Sequence, residues 1–216
     1  MNAPDAPPSP APVHRSLVDE LAHLRDALEG QPATLRKMIG ILGTRAYQLL
    51  LLLGALPFLL PVSLPGTSPP CGLAVAIIAL QLAFGRSPWM PGWLLDLPLG
   101  PGFLAKIVAV TRRVMGLVEK TLRPQWPVVT GARWLVALHY LAIAGAGLVL
   151  ALPLPIPLTN TFPGWTILFL ALGLLERDGL FVLAGYVMAL VTAVWFTILG
   201  AAVHQTLAAI WHWLAG

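Results

Sequence analysis

The sequence predicts an all-α, polytopic integral membrane fold with two re-entrant or broken-helix hairpins related by an internal repeat. Three observations carry this. First, charged residues are 10% of the 216-residue chain and the mean hydropathy is +0.80, where a soluble domain carries about 25% charged residues. Second, the charges are segregated: no Asp, Glu, Lys or Arg occurs at positions 46–85, 134–175 or 179–216. Each stretch is roughly twice the ~20 residues of one helical crossing. Third, the first two stretches are interrupted midway by proline and glycine. So little charged surface cannot solvate a chain of this size in water. A disordered chain, an ordinary soluble enzyme and a nucleic-acid binder working through a basic surface are excluded.

Residues 1–33 read as a Pro/Ala-rich disordered tail followed by an amphipathic helix, and residues 34–216 as the membrane domain. In the first piece Ser16 has the character of an N-cap, and Leu17, Leu21, Leu24 and Leu28 recur at helical spacing up to Gly30. Thr34 caps a second amphipathic helix through Leu35, Met38, Ile39 and Leu42. The first repeat, about 34–100, contains an apolar run at 46–60. As a helix it reaches about 22 Å, short of the ~30 Å hydrocarbon core. It runs into Pro57, Pro61, Pro65, Pro69 and Pro70, through which a helix is not expected to continue. The apolar pattern resumes at Leu73 and stops at Phe84. Arg45 precedes the pair and Arg86 follows it. Positive residues favour the cytoplasmic side, so the pair reads as a hairpin that enters the membrane and returns. Two tilted full spans joined by an outer loop are the alternative. In the hairpin reading the turn, with Pro65, Gly66 and Thr67, must be shielded by protein or line a cavity.

Trp89 and Trp93, in and after the loop 85–91, suit the headgroup level. Residues 103–123 are amphipathic and carry five cations, which opposes a crossing. The second repeat, about 124–200, follows the same order. An apolar helix runs from Arg133 to Leu152, then a break with Asn160, Thr161 and Pro163, then a short apolar run from Trp165 to Leu175 capped by Glu176, Arg177 and Asp178. Pro61, Leu64, Thr67 and Pro69 match Pro155, Leu158, Thr161 and Pro163, a weak repeat of the kind seen in membrane folds with broken helices. Leu180 to Leu199 completes a full span, and residues 200–214 extend it along the interface.

The strings Leu64-Pro65-Gly66-Thr67, Gly85-Arg86-Ser87-Pro88-Trp89-Met90-Pro91 and Gly173-Leu174-Leu175-Glu176-Arg177-Asp178-Gly179 resemble the ExoD family of bacterial exopolysaccharide-synthesis proteins, over most of the chain from Thr34. The resemblance implies a multi-pass protein of the bacterial inner membrane that works with the exopolysaccharide-synthesis machinery. It implies no catalytic motif.

The residues themselves offer no enzyme constellation. There is no phosphate-binding glycine loop, His-Glu-x-x-His or Gly-x-Ser-x-Gly. The histidines are scattered, and Cys71 is the only cysteine. No catalytic residue, metal site or cofactor is expected. The arginines remain: Arg45, Arg86, Arg123, Arg133 and Arg177 all end apolar helices. They either set topology by snorkelling or form an electropositive pocket for phosphate or carboxylate, which guanidinium groups bind bidentately. The expected function is a non-enzymatic membrane factor supporting exopolysaccharide synthesis or export, with such an anion or lipid-phosphate site. A small transporter or scramblase for an anionic lipid or solute is the alternative. Membrane lipids are the expected surroundings, and nucleic acid is not a partner. Small residues at 142, 144, 145, 146 and 147, with Gly185 and Ala189, allow close helix approach, read as a homodimer face or as packing within one protomer.

Overall fold

The computed structural model describes residues 33–59, 66–96, 98–99, 130–154, 156 and 158–215. The expected N-terminal helix, the 103–123 helix, Pro65 and Arg123 lie outside the described residues. The fold is helical: α1 (Leu35–Leu42), α2 (Thr44–Ala55) with a 3-10 turn (Leu56–Phe58), α3 (Ser68–Ala83), the single turn α4 (Gly92–Leu95), α5 (Arg133–Leu150), α6 (Thr161–Glu176) and α7 (Gly179–Ala215). One feature had no sequence signal. Strand β1 (Ala33–Thr34) pairs antiparallel with β2 (Pro98–Leu99), tying the start of α1 to the residues that follow α4.

Local chemistry explains the boundaries. Thr34 caps α1 as expected, its Oγ1 accepting from the Lys37 N–H at 3.4 Å, and Leu35, Met38 and Leu42 are buried. On the other face, Arg36 donates to both carboxylate oxygens of Asp96, at 2.8 and 3.2 Å. Both short apolar helices begin earlier than their apolar patterns. Helix α3 starts at Ser68 and α6 at Thr161, not Leu73 and Trp165. Their prolines, Pro69, Pro70 and Pro163, fall in the first turn, where the missing N–H would have no helical partner. Each helix is 16 residues, about 24 Å. Helix α7 runs unbroken for 37 residues, about 55 Å, so Gly200 does not end it.

Helix α6 is buried nearly all round, as an evenly apolar helix should be, and packs against α2, α5, α7 and the 3-10 turn. Helix α3 lies antiparallel on α5 at a glycine crossing. A Cβ on Gly72 would sit 2.5 Å from the Ala151 nitrogen and 2.6 Å from the Gly147 oxygen, and one on Gly147 would sit 2.9 Å from the Ala76 nitrogen. Helices α6 and α7 form an antiparallel pair, with Gly173 against Val182 and Gly185 against Leu170. Of the small residues proposed as a dimer face, Gly147 and Gly185 are therefore filled within the chain, whereas Gly145 faces open space.

The outer surface is apolar. Leu73, Ile77 and Leu80 of α3, Leu138 and Leu148 of α5, and Leu183, Leu190 and Ile198 of α7 are exposed. Among the described residues, two helices, α5 and α7, are long and apolar enough to cross a membrane by length and composition.

Candidate functional site

Four helix ends converge on one pocket of about 620 Å³. The N-terminal end of α2 contributes Thr44, Arg45 and Gln48; the C-terminal end of α3 and its loop contribute Leu82, Arg86 and Ser87. Thr130 and Tyr140 come from the start of α5 and the residues before it, and Leu174, Leu175 and Arg177 from the end of α6. Three of the five expected arginines are thus brought together. Arg133, at the start of α5, does not line the pocket. The described lining residues include no Asp, Glu, His or Cys.

The two short helices deliver their arginines by one device. Each ends in a left-handed residue, Gly85 (φ 67°) and Arg177 (φ 56°), and the next N–H closes back over the last turn: Arg86 to the Gln81 carbonyl at 3.0 Å, Asp178 to the Gly173 carbonyl at 2.9 Å. This closure satisfies carbonyls that a helix end leaves open. Arg86 and Arg177 are therefore neighbours in the motif, not equivalents: Arg86 follows the left-handed position and Arg177 occupies it. Glycine takes that conformation freely, whereas another residue gives up roughly 1 kcal/mol. Two members of the charged cluster Glu176–Asp178 turn inward: Glu176 is half-buried with its Oε1 enclosed, and Asp178 goes deeper. It is buried, and its Oδ1 accepts from the Leu180 N–H at 2.8 Å, capping α7. Arg177 is exposed at the pocket, and its carbonyl accepts from Thr130 Oγ1 at 3.4 Å.

The floor was missed by the sequence reading. Gln48 and Tyr140 are 7% and 3% exposed, and Gln48 Nε2 donates to Tyr140 Oη at 2.9 Å. The signal is a carboxamide in an otherwise apolar stretch, which needs a polar partner inside the fold.

The break residues stand at the opposite ends of the short helices. Gly66 (φ 79°) and Thr67 precede α3; Asn160, Thr161 and Pro163 open α6. The second break is closed locally: the Thr159 hydroxyl donates to the Ile156 carbonyl at 2.7 Å, and Gly164 admits Phe58.

A helical fold with an apolar exterior and a pocket rimmed by arginines at one end defines the class, a membrane-associated protein. The family model "Exopolysaccharide synthesis, ExoD" matches residues 17–198. The chain is 36% identical over 190 residues to Protein ExoD of Rhizobium meliloti, covering 86% of this chain and 78% of that protein. It is 28% identical over 166 residues to an uncharacterised protein of Synechocystis sp., covering 76% and 77%. The chain belongs to the ExoD family. No solved structure matches it.

Proposed function

We propose that this protein is a multi-pass inner-membrane factor that supports exopolysaccharide synthesis or export without catalysing a reaction itself, and that its pocket holds an anionic group at the cytoplasmic face. One observation carries the reading: Arg45, Arg86 and Arg177, from two chain segments far apart, line one pocket. Snorkelling for topology alone asks only that each cation reach water, not that the three converge. Converging guanidinium groups suit phosphate or carboxylate, which they bind bidentately.

The hairpin reading has its own support. Helices α3 and α6 are each about 24 Å long, short of the ~30 Å hydrocarbon core. The ends of both pairs, α2 with α3 and α5 with α6, meet at the pocket. Helix α3 packs on α5 and α2 on α6. Each arm of one pair thus lies on the opposite arm of the other, an arrangement that fits a two-fold internal repeat. A homodimer remains part of the proposal through the exposed strip around Gly145, as does contact with the polymer-synthesis machinery.

Arg177→Lys tests the site. It keeps the charge and the positive-inside signal but loses the bidentate fork. The expected result is normal membrane accumulation with reduced polymer output. Normal output from a normally accumulated variant would leave Arg177 with topology alone.

A further inference from the structure

We infer that the pocket is built for an anionic sugar, a hexose unit carrying a phosphate or carboxylate, rather than for a bare anion or a lipid phosphate. The inference rests on the anion-site reading and adds the floor to it. Below the three arginines, Gln48 and Tyr140 are more than nine-tenths buried and both line the pocket. Their mutual hydrogen bond, with Gln48 Nε2–H donating to Tyr140 Oη, uses only part of their capacity. Tyr140 keeps its own O–H to donate, and Gln48 keeps Oε1 to accept. Neither has another hydrogen-bond partner among the described residues. Turning the carboxamide over exchanges the roles, and in either orientation the pair can still both donate and accept.

A donor and an acceptor side by side are the complement of a hydroxyl, which accepts one bond and donates another. An ionised carboxylate accepts a hydrogen bond from the tyrosine O–H but has no proton to give Gln48, and the one proton of hydrogen phosphate sits on the same group that the arginines would hold. An acyl or prenyl tail lying over the floor would satisfy neither group, and buried polar groups left unpaired penalise the wrong ligand. A sugar hydroxyl set beneath an anionic substituent satisfies floor and rim together. The volume, about 620 Å³, lies inside the usual range of about 300–1,000 Å³ for small-molecule sites.

The test uses the purified full-length protein in lipid nanodiscs, with binding measured for glucose 6-phosphate, glucuronate, glucose, inorganic phosphate and a short-chain phosphatidate. Glucose 6-phosphate or glucuronate should bind about tenfold more tightly than inorganic phosphate, and glucose most weakly. Tyr140→Phe and Gln48→Leu should each narrow that preference, and Arg177→Lys should weaken every anion. Equal affinity for the sugar anions and inorganic phosphate would overturn the inference while leaving the anion site standing. Tighter binding of phosphatidate than of glucose 6-phosphate would overturn it in favour of a lipid. Failure of every anion to bind would remove the anion site and the inference together.

Discussion

Arg177 holds a left-handed backbone conformation at the end of α6, where the end of α3 has Gly85. Strain kept against an easy glycine alternative is an observation from which function can be inferred. It predicts a separation of folding from activity. Arg177→Gly should melt at the same temperature as the parent or slightly higher, by up to about 1 kcal/mol of relieved strain, while polymer output falls. A melting temperature several degrees lower would show that Arg177 is there for stability. The glycine crossing gives a second contrast. Gly147→Leu would drive a side chain into the α3 backbone at Gly72 and Ala76, whereas Gly145, two residues earlier, faces open space. The first should cost about 3 kcal/mol or more and reduce membrane accumulation. Gly145→Leu should be close to neutral in melting experiments, unless it lies in a dimer contact, in which case the oligomer mass changes instead.

At the scale of elements, α1 is held by two devices, the β1–β2 pair and the Arg36–Asp96 bridge. The Arg36 hydrogen bond lowers the Asp96 carboxyl below its ordinary value, and Asp96 in turn raises Arg36. Both groups are fully exposed, so the contribution is small. Its sign is definite: a depressed carboxylate contributes above its unfolded value of about 3.9, and the contribution is lost as pH falls through the lower folded value. An NMR titration should place the Asp96 midpoint below about 3.9, and Arg36→Gln should return it there. A midpoint that ignores Arg36→Gln would mean the bridge does not form. The far end of α7 makes the opposite case. Positions 200–207 and 209–214 are exposed, so removing residues 201–216 should leave the melting temperature within a few degrees. A large drop would assign those residues a packing partner.

These elements also show what sequence could and could not reveal. The apolar runs were legible as helices because each is uncharged and ends in a cation. The starts of α3 and α6 were misplaced because prolines were read as breakers, although a first-turn proline continues a helix at little cost. The continuation of α7 through 200–214 is legible because the penalty of Gly200, about 1 kcal/mol, is too small to end a long helix. The β1–β2 pair is two residues long and joins positions more than 60 apart, so no local pattern could announce it. The arginine rim was legible one residue at a time; its convergence was not, and the Gln48–Tyr140 floor spans 92 positions.

For the whole molecule, the exposed leucines and isoleucines of α3, α5 and α7 make water an unsuitable solvent for the outer surface. The pocket sits at one end and the two breaks at the other, about 24 Å away along α3 and α6. If the pocket faces the cytoplasm, the hairpin reading places both breaks inside the membrane, and α7, about 55 Å long, is the described helix that continues well past them. Cysteine labelling in sealed vesicles of both orientations tests this most directly. Cys71 is the only native cysteine, so Cys71→Ser provides a clean background for Ser87→Cys near the pocket and Thr67→Cys and Pro153→Cys at the breaks, all at exposed positions. With an impermeant thiol reagent, the account predicts that Ser87→Cys labels only in inside-out vesicles and that neither break position labels in right-side-out vesicles. Strong labelling of Thr67→Cys and Pro153→Cys in right-side-out vesicles would mean that both pairs cross completely, and would contradict the hairpin architecture.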